Sequence, residues 1–201
     1  LGNSNYNGAN LWGKTTITNT TFDFDGSVGT EWIGLNAARS GKVISIANCT
    51  VTNGTVFDYF ANYDNGNKVT VNGVVYEFVA NGVMKADEDY EISSKAGMFW
   101  FANEVNVNKN AFSGKTVKLT ANIDLNNEAW TPVGQTGATT FNGVFDGQNH
   151  TISNLNVNSE AQTGAHYSSG LFGWVESHTA EHGHIKNVKI NGATIVGHHN
   201  C

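Results

Sequence analysis

The sequence predicts an all-β fold, a parallel β-solenoid with a short capping helix and a small β-meander insert. Three observations carry that expectation. Asn, Gly and Thr contribute 28, 23 and 20 of the 201 residues, against a single proline, Pro132. Asx-Gly pairs, which tolerate the positive φ of tight β-turns, punctuate the chain from Asn7-Gly8 to Asn191-Gly192. A pattern of Ile, any residue, Asn, any two residues and a large apolar residue occurs four times.

The same composition excludes several classes. Ala, Glu, Lys, Leu and Arg are too scarce for a helical bundle or coiled coil. At 11% aromatic and 14% charged residues, the chain is unlike a disordered one. No apolar run reaches the roughly 18 residues of a membrane span. Eleven Lys and Arg against 17 acids argue against a nucleic-acid surface. Cys49 and Cys201 are too few for a disulfide scaffold. The chain starts Leu1-Gly2-Asn3, without a signal peptide, and reads as a piece of a longer protein.

Taken in order, residues 1–60 read as an N-terminal solenoid-like segment. Residues 61–92 form a connector. Within it, Val69-Thr70-Val71, Asn72-Gly73 and Val74-Val75-Tyr76 spell a two-residue hairpin. Asn81-Gly82 repeats the arrangement, so residues 68–86 form a three-stranded meander. Residues 93–201 form a helix-capped solenoid. Its helix starts at a serine N-cap, Ser93 or Ser94, and places Met98, Phe101, Ala102 and Val105 at i, i+3, i+4 and i+7. This aromatic helix is suited to cover an open solenoid end. Thr116-Val117-Lys118-Leu119-Thr120 then opens a new run of strands.

The fourfold pattern comprises Ile17-x-Asn19, Ile46-x-Asn48, Ile152-x-Asn154 and Ile185-x-Asn187, each followed three residues later by Phe22, Val51, Val157 and Ile190. Residues after each Asn alternate with the strand period of two, so the Asn marks a corner. Coils stack about 4.8 Å apart. The expectation is a structural Asn ladder, with Asn48 beside Asn19 and Asn187 beside Asn154. Cys49 takes the slot of Leu155 and Val188, as a small buried apolar residue.

Several segments resemble GLUG-motif bacterial surface and adhesin-like proteins. They are Phe112 to Leu125, Trp130-Thr131-Pro132-Val133-Gly134, Phe141 to Ile152, and Gly170-Leu171-Phe172-Gly173, which resembles the GLUG signature itself. The match covers residues 93–197 well and residues 15–55 through the Ile-x-Asn repeat alone. The resemblance implies a right-handed parallel β-helix, secreted or anchored on a bacterial cell surface. It implies no ligand.

Motifs for chemistry are weak. His178-Thr179-Ala180-Glu181-His182 matches the inverted zincin pattern, which needs a helix to bring both imidazoles to one metal. No helical period surrounds it, so a solvated His-rich loop is the better reading. A lyase needs calcium-binding carboxylates and a basic residue, yet Arg39 is the one arginine and no Lys or Arg falls between Lys118 and Lys186. A glycoside hydrolase needs two facing carboxylates, and Asp124, Glu128, Asp146, Glu160, Glu176 and Glu181 are scattered. Trp100, Trp130 and Trp174 read as packing residues; Trp12 and Trp32 are open to either packing or sugar stacking. Sequons at Asn19, Asn48, Asn53 and Asn149 follow from the abundance of Asn and Thr.

The functional expectation is a non-enzymatic extracellular module, a stalk or adhesive segment, without cofactor, metal or catalytic residues. Candidate partners are a glycan, a host surface protein, or a second copy through end-to-end self-association. Nucleic acid and a membrane span are excluded. The alternatives are a carbohydrate-active β-helix enzyme and a fibre-forming subunit.

Overall fold

The computed structural model describes residues 9–10, 15–23, 35–36, 43–52, 68–71, 73–80, 82–158, 168–176 and 184–197. Strands dominate and one short helix interrupts them, so the fold is all-β. The chain divides into two compact units, Leu1–Asp87 and Glu88–Cys201.

The first unit holds β1 (Ala9–Asn10), β2 (Thr15–Thr18), β3 (Thr21–Asp23), β4 (Leu35–Asn36), β5 (Val43–Ala47), β6 (Thr50–Thr52), β7 (Lys68–Val71), β8 (Val74–Ala80) and β9 (Val83–Ala86). Pairing is parallel for β1 with β4, for β2 with β5, for β5 with β7, and for β3 with β6. The β2–β5 and β3–β6 pairs share one offset, Thr18 facing Ala47 and Thr21 facing Thr50. The pairing then turns antiparallel through β7, β8 and β9, the three strands that the meander signals predict. Gly73 has φ +89°, the left-handed conformation its Asx-Gly turn requires. Asn72 and Asn81 themselves lie outside the described residues.

The second unit opens with β10 (Asp89–Ile92) and α1 (Lys95–Asn106). Ser94 is the N-cap, its side chain accepting the Gly97 N–H at 3.1 Å. Met98, Phe101, Ala102 and Val105 form the buried stripe, together with Gly97. Then follow β11 (Thr116–Leu119), β12 (Ile123–Asp124), β13 (Val144–Asp146), β14 (Thr151–Ser153), β15 (Asn156–Asn158), β16 (His184–Lys186), β17 (Lys189–Asn191) and β18 (Thr194–Val196). All their pairings are parallel, in three ladders: β10–β11–β13–β16, β12–β14–β17 and β15–β18.

Register aligns apolar side chains from strand to strand. Val117, Phe145 and Ile185 form one row, Ile123, Ile152 and Ile190 a second, Val157 and Ile195 a third. Every member before the last strand is buried, while Ile185, Ile190 and Ile195 are 42%, 44% and 42% exposed. Phe101 of α1 lies against Phe112, Phe141, Phe145 and Phe172, with ring centroids 5.2 to 6.2 Å apart. An aromatic cluster is the centre of this core, and such ring pairs add to the burial of apolar area.

Two packing expectations need correction. Trp130 is buried as expected, but Trp174 is 41% exposed. Its indole lies over Gly137, on the surface rather than within the core. Cys49 is half-buried and its thiol lies 3.5 and 3.7 Å from the Ala47 and Ile17 carbonyls. It is thus a partly polar corner residue, unlike the buried Leu155.

Candidate functional site

The four predicted corner asparagines share one backbone conformation. Asn19, Asn48, Asn154 and Asn187 have φ of 53°, 54°, 55° and 54°. L-residues pay roughly 1–2 kcal/mol for this left-handed region, and Asn tolerates it best after Gly. The common offset of β2–β5 and β3–β6 puts Asn48 in register with Asn19. Their backbones are joined across the corner, Asn19 N–H donating to the Ala47 carbonyl at 3.2 Å.

Asn154 and Asn187 do not stack on each other. Ser153 faces Asn191, so Asn154 aligns with Gly192, whereas Asp146 faces Lys186, so Asn187 aligns with Gly147. The two occupy successive corners. Ile152 is in register with Ile190, 38 residues on, whereas Ile185 follows it by 33, so the Ile185 copy falls short of one repeat and joins the preceding ladder beside Phe145.

Each of these two asparagines instead finds an aspartate on the neighbouring strand. Asn154 donates its side-chain amide to Asp124 at 2.8 Å, and Asn187 donates to Asp146 at 3.0 Å. Each aspartate also accepts a backbone N–H two residues ahead, from Asn126 at 2.7 Å and Gln148 at 3.0 Å. The repeated corner is therefore an Asx turn whose carboxylate is tied to the next strand's asparagine. The signal missed in the sequence was the aspartate ending each preceding strand, Asp124 in Ile123-Asp124 and Asp146 in Phe145-Asp146.

Electrostatics follow from these bonds. Burial alone would raise the pKa of Asp146, but the Gln148 N–H, the Asn187 amide and the Lys186 ammonium together hold it below the usual carboxylate value. Asp124 is lowered by the Asn126 N–H and then the Asn154 amide. Burial raises Glu91, although Lys118 nearby opposes this. Along the β10–β11–β13–β16 ladder, register puts Glu91, Lys118, Asp146 and Lys186 in one column. Its charges alternate in sign. Lys186 reaches Asp146 at 3.5 Å, while Lys118 bonds Asp89 at 3.1 Å.

The segment Gly170-Leu171-Phe172-Gly173 meets Trp130 to Gly134. Phe172 pairs in parallel with Val133, and the Val133 N–H donates to the Leu171 carbonyl at 3.1 Å. Gly173 N–H returns a bond to the Val133 carbonyl at 2.8 Å. The Trp130 indole N–H also donates to the Leu171 carbonyl, at 3.0 Å. A Cβ on Gly173 would lie 2.3 Å from the Gly134 carbonyl oxygen, and one on Gly134 would lie 2.3 Å from that of Trp174. Both glycines are required by backbone approach. Phe172 sends its ring into the aromatic core, 5.1 Å from Phe145 and 5.6 Å from Phe141.

Beside this junction lies a cleft of about 690 Å³. Its walls are Phe99, Trp100, Asn103 and Asn106 of α1, with Val107, Thr131 and Gln135. Asn106 fixes the loop: its amide donates to the Pro132 carbonyl at 2.9 Å and its oxygen accepts from the N–H groups of Gly134 and Gln135. Trp100 is half-buried against Tyr90 and Phe112. Aromatic faces beside amide and hydroxyl groups, with no charged side chain in the lining, suit a neutral polar ligand. His178 and His182, Trp12 and Trp32, Asn53 and Cys201 lie outside the described residues. Among the described residues no group of His, Cys, Asp and Glu could hold a metal ion, and no helix is long and apolar enough to cross a membrane.

No family model matches the chain. No solved structure matches it. Among curated proteins, a segment of Halomucin from Haloquadratum walsbyi is 31% identical over 203 residues, taking in 94% of this chain. The chain spans about 2% of the length of that protein.

Proposed function

We propose that the chain is a non-enzymatic, extracellular module of a cell-surface protein, built as a GLUG-type right-handed parallel β-helix and serving as a stalk. The observation that carries this reading is the set of parallel ladders that keep one register over several strands and align buried apolar rows. Residues repeat at matching corners, which is how stacked coils grow into an extended rod. The helix α1 acts as the cap of the second stack. The likeness to a short segment of Halomucin supports the extracellular placement. Because that protein comes from Haloquadratum walsbyi, a bacterial source is not part of the proposal.

A purely architectural role is supported by how the carboxylates are used. Asp124 and Asp146 are committed to corner bonds and held ionised, which suits neither to protonate a glycosidic oxygen. The test is antibody labelling of intact and of lysed cells that make the whole protein. Labelling of intact cells is expected; labelling only after lysis refutes the surface role.

The cleft favours a second reading, adhesion to a neutral glycan. Sugar rings would stack on Phe99 or Trp100 and bond the amides beside them. A glycan array tests it: a neutral oligosaccharide should be retained, and Asn103→Ala, exposed on α1 and lining the cleft, should weaken it severalfold. Retention unchanged in that variant would exclude the cleft.

A further inference from the structure

We infer that the cleft beside α1 is one end of a longer groove, which binds a stretch of a linear, neutral oligosaccharide rather than a single terminal sugar. The inference rests on the adhesion reading above and adds the class and length of the ligand.

A second, smaller hollow of about 130 Å³ adjoins the cleft, with Trp130, Asn156 and Ser168 among its walls. Thr131 and Gln135 line both hollows. Phe99 of the cleft lies edge to face against Trp130 of the second hollow, their rings 5.3 Å apart. The two hollows are therefore neighbours across one loop, and a ligand that crosses Thr131 reaches both. At about 690 Å³, the cleft has the size that holds a drug-sized ligand, roughly two linked sugar rings. The second hollow adds room for part of a third.

Hydrogen-bonding groups run along the same path. The Asn103 amide and the Thr131 hydroxyl line the cleft, and the Ser168 hydroxyl lines the second hollow. None of the three has a hydrogen-bond partner among the described residues. Asn156 donates its amide to the Asn127 carbonyl at 2.9 Å, and its side-chain oxygen receives no donor among the described residues. A sugar held in the cleft alone meets the first two groups. The last two are met by a chain that continues past Thr131. Hydroxyl groups recur along a polysaccharide and so match a row of separate donors and acceptors. Neither lining contains a charged side chain, so a uronic acid or a sulfated sugar finds no counter-ion in the groove.

The shared wall is built before a ligand arrives. Asn106 holds the Pro132 carbonyl and the Gly134 and Gln135 N–H groups, and the Trp130 indole donates to the Leu171 carbonyl. A fixed wall spares the complex the cost of ordering a loop.

The probes are unbranched malto-, cello-, manno- and N-acetylchito-oligosaccharides of one to six units, titrated calorimetrically into the whole chain. In the series that binds, affinity should rise at least tenfold from the mono- to the tetrasaccharide and then level off. Ser168→Ala keeps the Cβ and removes one hydroxyl. It should weaken the tetrasaccharide about threefold, as for the loss of one hydrogen bond, and leave the disaccharide unchanged. Thr131→Val, at an exposed position on the shared wall, should weaken both. Circular dichroism checks that each variant is folded. A monosaccharide bound as tightly as its tetrasaccharide overturns the extended groove and leaves adhesion through the cleft standing. A tetrasaccharide unaffected by Ser168→Ala does the same, since the second hollow is then empty in the complex. If none of the four series binds, the inference fails, while retention on the glycan array decides the adhesion reading by itself.

Discussion

Gly173 and Gly134 are the positions where a single methyl group does most harm. Each lies where two backbones meet, with no room for a Cβ within 2.3 Å of the facing carbonyl oxygen. Gly173→Ala should destabilise the second unit by about 3 kcal/mol or more, since the obstacle is backbone rather than a side chain that can rotate away. Urea denaturation followed by tryptophan fluorescence measures this. Gly170→Ala should be milder, because its new Cβ would stand 3.1 Å from its nearest neighbour. The left-handed corners were legible at this scale: Asn19, Asn48, Asn154 and Asn187 were marked by a recurring Asn before an alternating run. Phe112 was not. It holds φ 54°, a conformation that sequence rules assign to Gly or Asn. It is kept there by the rings of Tyr90, Trp100 and Phe101 and by the Asn110 side chain, which accepts its N–H at 3.2 Å.

At the scale of elements, local signals were legible and long-range register was not. Helix α1 carried its cap and its stripe in adjacent residues, so Ser94 and Met98 to Val105 could be read directly. The meander was equally local, signalled by the Asx-Gly pairs Asn72-Gly73 and Asn81-Gly82 between β-branched runs. The pairing of Asn187 was misread because the motif repeats at every corner, while only the loop lengths between corners decide which ladder a copy joins. A side chain such as Trp174 illustrates the same limit. It stands beside a core motif, but the ring faces outward because Gly173 holds the backbone against Gly134. The cleft beside α1 likewise could not be read, since Trp100 and Gln135 meet only after the chain has closed through Asn106 and the 132–135 loop.

For the whole molecule the repeated corners predict how stability depends on acidity. Asp124 and Asp146 have folded-state pKa values below the ordinary 3.8. A lowered pKa contributes stability that is present above the unfolded value and lost as pH falls through the folded one. Glu91 works in the opposite sense: its raised pKa makes the ionised form a burden that protonation relieves. The urea midpoint of the second unit should therefore fall as pH drops below about 4. Asp124→Asn and Asp146→Asn together should lower the midpoint at neutral pH and flatten its acid limb. An acid limb equally steep in the double variant would show that the corner carboxylates are not responsible.

The alternating column has a consequence for how such a chain can lengthen. On the stacked-coil reading proposed above, members are gained and lost by duplication of a segment. Copying one coil would set lysine against lysine or acid against acid, whereas copying two adjacent coils restores the order Glu91, Lys118, Asp146, Lys186. The column thus imposes a parity on growth. Insertions of an even number of coils are electrostatically silent, and odd ones leave a like-charge fault that a further substitution must repair.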